Sequence, residues 1–320
     1  MRKNIKLREH KLLLAIMTFF LCLIIFLEIS ERKNSFLKSW LYENNTNKEL
    51  VVATTAMSPD KEPSINRGKM VEFINRIKKA QPNVDLIVFG EVILGWYRSE
   101  SDDYHKNIAE PVPGATTLLM SKLARENNVF ISFGLVEKAL KKIYNSQVLI
   151  NNNGEIINVR RKKNLPSGFF SPGQESISIV DIKGITTGVV ICYDINNDET
   201  LDKAKINKVD LLIISNADYT DEWDNKHFAY KYLAKKFNTW IITSNRFGTE
   251  NETHWDGHLE ILNPFGDLLA SGVSKEQFIV YNIKINKGQS EIKDHIRKIY
   301  SKISLGYLVL KNLRIALSYL

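Results

Sequence analysis

Residues 188–191 read Gly-Val-Val-Ile, and Cys192-Tyr193-Asp194 follows at once. An unbroken apolar run led in by a glycine is the pattern of a strand buried on both faces, and such a strand is housed only inside a layered sheet. The run delivers a thiol to a strand-to-loop corner, where the polar stretch 194–199 begins. Two other stretches share this layout. Residues 85–90, Asp-Leu-Ile-Val-Phe-Gly, lead to Glu91, and the strand pattern over 154–159 runs into Arg160-Arg161-Lys162-Lys163. A thiol needs a base to become a nucleophile, and the acyl adduct it forms needs a cation or N–H donors at the developing oxyanion. A carboxylate, a lysine and a cysteine at three strand ends supply those parts. Taken singly, Cys192 reads as a small core hydrophobe, and Glu91 and Lys162 as a structural ion pair or solvated side chains.

From Leu50 onward strand and helix patterns alternate, which argues for an α/β layered domain. The spacing predicts strands over 51–57, 86–89, 129–136, 178–182, 185–191, 211–215, 240–244 and 278–283. It predicts helices near 69–80, 116–126, 199–205 and 226–237. A hairpin pairs 147–150 with 155–159 through Asn153-Gly154, two residues that accept the positive φ angles of a tight turn. A second turns at Asn263-Pro264-Phe265-Gly266. Trp96, Tyr97, Tyr219 and Trp223 follow strand ends and are candidates for a pocket wall, although aromatic side chains more often fill cores. His254 and His258 lie four apart, but Gly257 and the alternation Leu259-Glu260-Ile261 put them at a strand entry, without a third ligand in frame for zinc. There is no Gly-x-Ser-x-Gly turn for a serine nucleophile.

The net charge of +8 points to an anionic partner until it is divided along the chain. Residues 1–49 carry +4 and residues 284–320 carry +6, so the middle is at −2. A nucleic-acid partner wants a basic face on the folded domain, and none is implied. Basic ends beside apolar segments point instead to a membrane lipid surface. Residues 1–11 form a basic N-terminus, and 12–27 are free of charge, a run of about 24 Å as a helix. Lys11 and Arg32 extend it by snorkelling, and 12–30 reads as a retained transmembrane helix, because no small-x-small cleavage site follows Leu27. The positive-inside rule then keeps the N-terminus in the cytoplasm and sends the rest of this single-pass chain outward. Residues 31–49 read as a tether, 50–286 as the folded domain and 287–320 as a basic tail. Lys311 and Arg314 share one face of that tail, which suits a helix lying on a membrane and equally one packed on the domain or on a second subunit.

Three segments in order, Phe89-Gly90-Glu91, Gly154-Glu155 through Arg161-Lys162-Lys163-Asn164-Leu165, and Cys192-Tyr193-Asp194, resemble the motifs of the nitrilase, or carbon-nitrogen hydrolase, superfamily. The likeness covers roughly 51–285 and takes in Pro113-Gly114, Tyr144-Asn145-Ser146, Ser215-Asn216 and Ser244-Asn245-Arg246. It implies a four-layer α-β-β-α sandwich, no cofactor, no metal, pairing into a homodimer, and a Glu91, Lys162, Cys192 triad. In that scheme Cys192 attacks an amide or acyl donor, Glu91 takes the thiol proton, and Lys162 holds the oxyanion with the backbone N–H of Tyr193. The Arg-Lys-x-x-Leu frame selects Lys162 over Lys163. Asn216, with Trp96, Tyr97 and Tyr219, is a candidate substrate contact. The chain departs from the family in three places: Gly90 replaces the usual proline, no second glutamate follows the lysine until Glu175, and Asn196-Asn197-Asp198-Glu199 replaces Arg-Phe-Pro-Glu. The leading expectation is a membrane-anchored amidase cleaving a non-peptide C–N bond. An acyltransferase resembling apolipoprotein N-acyltransferase and an inactive nitrilase-like binding module stand as alternatives.

Overall fold

The computed structural model describes residues 46–98, 103–165, 168–219 and 223–286. The expected membrane helix over 12–30, most of the tether and the tail 287–320 lie outside them. Among the described residues no helix is long and apolar enough to cross a membrane.

The strands are β1 (Thr46–Met57), β2 (Leu86–Val88), β3 (Phe130–Ala139), β4 (Lys142–Ile150), β5 (Ile156–Arg161), β6 (Ser178–Ile182), β7 (Ile185–Ile191), β8 (Leu211–Ser215), β9 (Trp240–Glu250), β10 (Thr253–Asp256), β11 (Leu259–Leu262), β12 (Leu268–Gly272) and β13 (Gln277–Asn286). The helices are α1 (Pro63–Ala80), α2 (Tyr104–Ile108), α3 (Ala115–Glu126), α4 (Asp198–Leu201), α5 (Lys203–Ile206) and α6 (Trp223–Phe237). Hydrogen bonds join the strands in the order β5-β4-β3-β2-β1-β9-β8-β7-β6, with β13 on β1 and β11 on β9. The seam is short, Ala56 to Asn245 and Met57 to Arg246.

Side-chain alternation shows how this sheet is layered. Along β8, Leu211 and Ile213 join a cluster that also holds Val52, Leu86, Val88 and Phe130 from the other half, so the two halves pack face to face. Leu212 and Ile214 point the opposite way, onto Tyr230, Leu233, Ala234 and Phe237 of α6. On the far side of the first half, Ile87, Phe89, Ile131 and Val148 meet Met70, Phe73, Ile74 and Ile77 of α1 and Met120 and Ala124 of α3. The result is an α-β-β-α sandwich. At about 1.5–3 kcal/mol for each fully buried aliphatic side chain, the layer between the two halves is a main contribution to holding them together.

Local chemistry explains where the structure departs from the pattern reading. Helix α1 starts at Pro63, whose fixed φ suits a first helical position, while the stretch 63–69 offers Ile65 as its one aliphatic side chain and hides from periodicity. The helix expected over 199–205 breaks at Asp202, which adopts φ +49° and caps α5 by accepting from the Ala204 N–H. In the 151–155 turn only Gly154 has positive φ, at +82°, so it is not the tight two-residue turn expected of Asn153-Gly154. Strand β9 runs on to Glu250 and folds back as β10, a hairpin the polar sequence 245–256 does not announce.

Topology fixes where functional groups emerge. Strands β1, β2 and β3 are parallel, as are β7, β8 and β9. Strand β5 is antiparallel to β4, itself antiparallel to β3, so β5 points the same way as β2. The carboxyl ends of β2 and β5 therefore share one edge, as in open α/β sheets that place ligands at strand carboxyl ends. At that edge the backbone is close-packed: a Cβ on Gly90 would lie 2.9 Å from the Asn245 carbonyl oxygen and 3.4 Å from that of Asn216. This crowding accounts for glycine there. Gly90→Ala is expected to destabilise the protein by about 1–3 kcal/mol, by analogy with other overpacked sites, read as a lower urea midpoint; an unchanged midpoint contradicts the crowding.

Candidate active site

Glu91 follows the end of β2 and is wholly buried. Its Oε1 accepts from Lys162 Nζ at 2.6 Å and from Asn145 Nδ2 at 2.6 Å, whereas Oε2 accepts nothing from the described residues. Lys162, the first residue past β5, is equally dry. Such a pair is costly to desolvate and adds little net stability, so it is more readily understood as part of a reaction site than as a brace. Burial lowers the Lys162 pKa, but its ionisable neighbours Cys192, Glu91 and Tyr97 outweigh it and hold the ammonium well above the usual lysine range. Lys163 is only half-buried, so burial, like the sequence frame, selects its neighbour.

Cys192 opens the 3-10 turn Cys192–Asn196 at the end of β7 and takes φ +42°, a left-handed conformation that costs a non-glycine residue roughly 1–3 kcal/mol. Asp194 holds that turn in place. Its Oδ2 accepts from Arg160 Nη2 at 2.9 Å, and its Oδ1 from the backbone N–H groups of Lys163 at 3.1 Å and Asn164 at 2.8 Å. One buried carboxylate thus ties the turn bearing Cys192 to the segment bearing Lys162 across the two halves of the sheet. Burial pushes the thiol pKa far above its ordinary value; Asp218 and Glu91 act in the same sense, Lys162 and Lys226 against it.

Two further groups reach the sulfur. Cys192 Sγ donates to Asp218 Oδ1 at 3.3 Å, and Lys226 Nζ lies 4.0 Å from Sγ and 3.1 Å from the same Oδ1. Tyr230 donates its hydroxyl to Asp218 Oδ2 at 2.8 Å. A neutral thiol therefore sits among two ion pairs, and charge developing on it can be balanced locally.

The structure treats the other expected residues differently. Tyr97 is buried, with Lys162 Nζ 5.9 Å from its ring centre. Tyr219 stacks on Trp255 at 4.8 Å and receives hydrogen bonds from Arg98. Asn216 is buried and its carbonyl oxygen accepts from the Glu91 N–H at 3.2 Å. Trp96 turns toward Pro59, donating Nε1 to its carbonyl at 3.2 Å, with Lys61 over the ring. Tyr193 has a half-exposed side chain, and that of Trp223 lies outside the described residues. His258 pairs with Asp256 at 2.6 Å and His254 faces Thr249.

Sequence reasoning missed Asp218, Lys226, Tyr230 and Glu250. Arg246 donates to the carbonyl oxygens of Glu91 and Val92, each at 2.8 Å, and pairs with Glu250, whose other oxygen accepts from the Tyr97 N–H at 2.7 Å. The segment Ser244-Asn245-Arg246 carried a family signal, but no role followed from it. Asp218 carried none.

The sandwich, with a buried carboxylate, ammonium and thiol at its strand ends, defines an α/β fold with the parts for cysteine-dependent acyl chemistry. A family model described as carbon-nitrogen hydrolase matches residues 51–290. The chain belongs to that family and is a hydrolase acting on carbon-nitrogen bonds other than peptide bonds. It is 29% identical over 243 residues to a probable nitrilase of Schizosaccharomyces pombe, covering 72% of this chain and 86% of the relative. To an (R)-stereoselective amidase of a Pseudomonas species it is 24% identical, covering 69% and 81%. The crystal structure of Nit3 from Saccharomyces cerevisiae, a nitrilase-superfamily member, superposes with a TM-score of 0.68 at 22% identity, over 79% of this chain and 95% of that one.

Asp194→Ala strands a buried Arg160 and two backbone donors. It should cost about 3–5 kcal/mol, the penalty for breaking a buried ion pair, measured by chemical denaturation. A loss below about 1 kcal/mol, the value of a surface pair, contradicts the role given to Asp194.

Proposed function

We propose that this protein is a membrane-anchored amidase that cleaves a small, non-peptide amide through a cysteine acyl-enzyme. The observation that carries the reading is the dry Glu91–Lys162 pair, 2.6 Å apart, tied by Asp194 to the turn that bears Cys192. The Cys192 sulfur attacks the carbonyl carbon. Lys162 and the backbone N–H of Tyr193 receive the oxyanion, where fixed donors in a water-poor site are most effective. Glu91 takes the thiol proton and hands it to the departing amine. Water, deprotonated by Glu91 through its open Oε2, then cleaves the thioester and the proton returns to sulfur. Tyr97 and Tyr219, the latter backed by the buried Trp255, supply the aromatic wall against which the acyl part packs.

The anchor is the uncharged run 12–27, and the basic cluster before it supports an outward-facing domain. The relatives bear on the reaction class and not on this location.

Incubation of the full chain with acetamide, propionamide and longer carboxamides should release ammonia and leave a transient acyl mass on Cys192. Cys192→Ser should lower turnover by about 10³-fold or more, the scale seen when a nucleophile is removed. Ammonia release that survives the substitution, or an unmodified mass with every amide, overturns the reading. An acyl group retained from phospholipid without ammonia release assigns the acyltransferase alternative instead.

A further inference from the structure

The β3–β4 hairpin turns through two residues, Leu140 and Lys141, since Ala139 pairs with Lys142. Of these two only Leu140 has positive φ, at +55°, and its side chain is 98% exposed. A two-residue turn with its one positive φ at the first position ordinarily puts glycine there, because in the left-handed region a Cβ crowds the following carbonyl oxygen. The fold thus holds a leucine where it is strained and buries nothing by it. Lys138, Lys141 and Lys142 are exposed around it, and none has an ion pair among the described residues. The nearest acid in sequence, Glu137, is buried against Arg161 and Ser146.

This tip is held out stiffly. Strand β3 outruns β2, whose last pair is Val88 with Ser132, and the chain after β2 follows it only to Gly134, through Gly90 and Ile93. From Gly134 to Ala139 the strand advances about 17 Å, at roughly 3.3 Å per residue. Each strand of the projection is braced near its end. The Lys138 N–H donates to the Glu110 carbonyl oxygen at 2.7 Å, and the Ser171 N–H to that of Ile143 at 2.8 Å. Because β3 runs parallel to β2, the hairpin leaves the sheet at the edge where Glu91 and Lys162 emerge.

We propose that the Leu140 tip is a membrane contact: the leucine enters the headgroup layer of an anionic bilayer, and Lys138, Lys141 and Lys142 lie against its negative surface. An apolar side chain ringed by ammonium groups is complementary to such a surface in both charge and polarity. Each lysine near an anionic leaflet favours contact by about fivefold, so the three together are worth on the order of 100-fold. The proposal rests on the membrane-anchored reading and deepens it. The run 12–27 keeps the chain at a bilayer, and the hairpin sets which edge of the sheet turns toward the lipid. That edge carries the Glu91–Lys162 pair, so docking brings the mouth of the site to the bilayer.

The test follows the tip in the full chain. In a Cys22→Ser background the fluorophore NBD is placed on Leu140→Cys and, as a control, on Asn153→Cys in the β4–β5 turn at the opposite edge. Buried Cys192 sets the background, read on Cys22→Ser alone. The chains are reconstituted into vesicles of phosphatidylcholine alone and of equal parts phosphatidylcholine and phosphatidylserine, each with and without a nitroxide lipid. The proposal expects blue-shifted emission and nitroxide quenching at 140 on the anionic vesicles, and a water-like spectrum at 153. The signal at 140 should weaken at about 1 M salt, where the Debye length is about 3 Å. Changing Lys138, Lys141 and Lys142 together to glutamine should lower the ratio of docked to undocked tip by about 100-fold. A label at 140 that stays in water on both vesicles, or shifts equally on both, overturns the proposal; a blue shift without lipid quenching overturns it in favour of a protein contact. Leu140→Gly should leave the urea midpoint unchanged or raise it, and a lower midpoint shows that Leu140 serves the fold instead. If alkaline carbonate strips the unmodified chain from neutral vesicles, the anchor reading has failed. The tip is then judged by the same labels on chains added from solution to the two kinds of vesicle.

Discussion

The position of the sulfur depends on one buried carboxylate. Cys192 and Lys162 belong to different halves of the sheet, and Asp194 spans the gap by accepting from Arg160 and from two consecutive backbone N–H groups beyond Lys162. Burial on balance raises its pKa, and a guanidinium with two backbone donors offsets part of that desolvation. With that tie made, the left-handed turn at Cys192 is held by its surroundings, as a strained residue must be. Without it, the two elements that bear Cys192 and Lys162 would be linked mainly by apolar layers, which fix distance better than direction.

A second constraint is electrostatic. The thiol is buried and shifted upward, so the resting sulfur is protonated and inert. Two ion pairs, Glu91–Lys162 and Asp218–Lys226, surround it, so a proton passed from sulfur to a neighbouring carboxylate leaves the total charge unchanged. Arg246 and Glu250 extend this ordering behind Glu91, fixing the loop after β2 through carbonyl oxygens and the Tyr97 N–H. The crowding at Gly90 follows from the same closeness of the β2 end to β8 and β9.

Much of this was legible in the chain, and the reasons divide cleanly. Strands β6, β7 and β8 match the pattern reading residue for residue, since bounded apolar runs leave little freedom. Glu91, Lys162 and Cys192 stood out as reactive groups at strand ends and through the resemblance they carry. Burial and a single ion pair then separated Lys162 from Lys163. Other features depended on tertiary contacts. Asp218 lies 26 residues from Cys192 and meets it only because β7 and β8 pair in parallel. Trp96 had the same sequence credentials as Tyr97, but the next carbonyl and hydroxyl partners turn it the other way. The β3–β4 turn at Leu140-Lys141 sits in a basic stretch that looks like any solvated loop.

The central claim is that sulfur, ammonium and carboxylate act on one carbonyl group. A crystal structure of the Cys192 acyl adduct, formed with p-nitrophenyl acetate at a pH where deacylation is slow, tests it directly. The account predicts the thioester oxygen within hydrogen-bonding distance of Lys162 Nζ, with Glu91 Oε2 facing the carbonyl carbon from the water side. An adduct whose oxygen points away from Lys162, or an acyl group on another side chain with Cys192 still free, contradicts it.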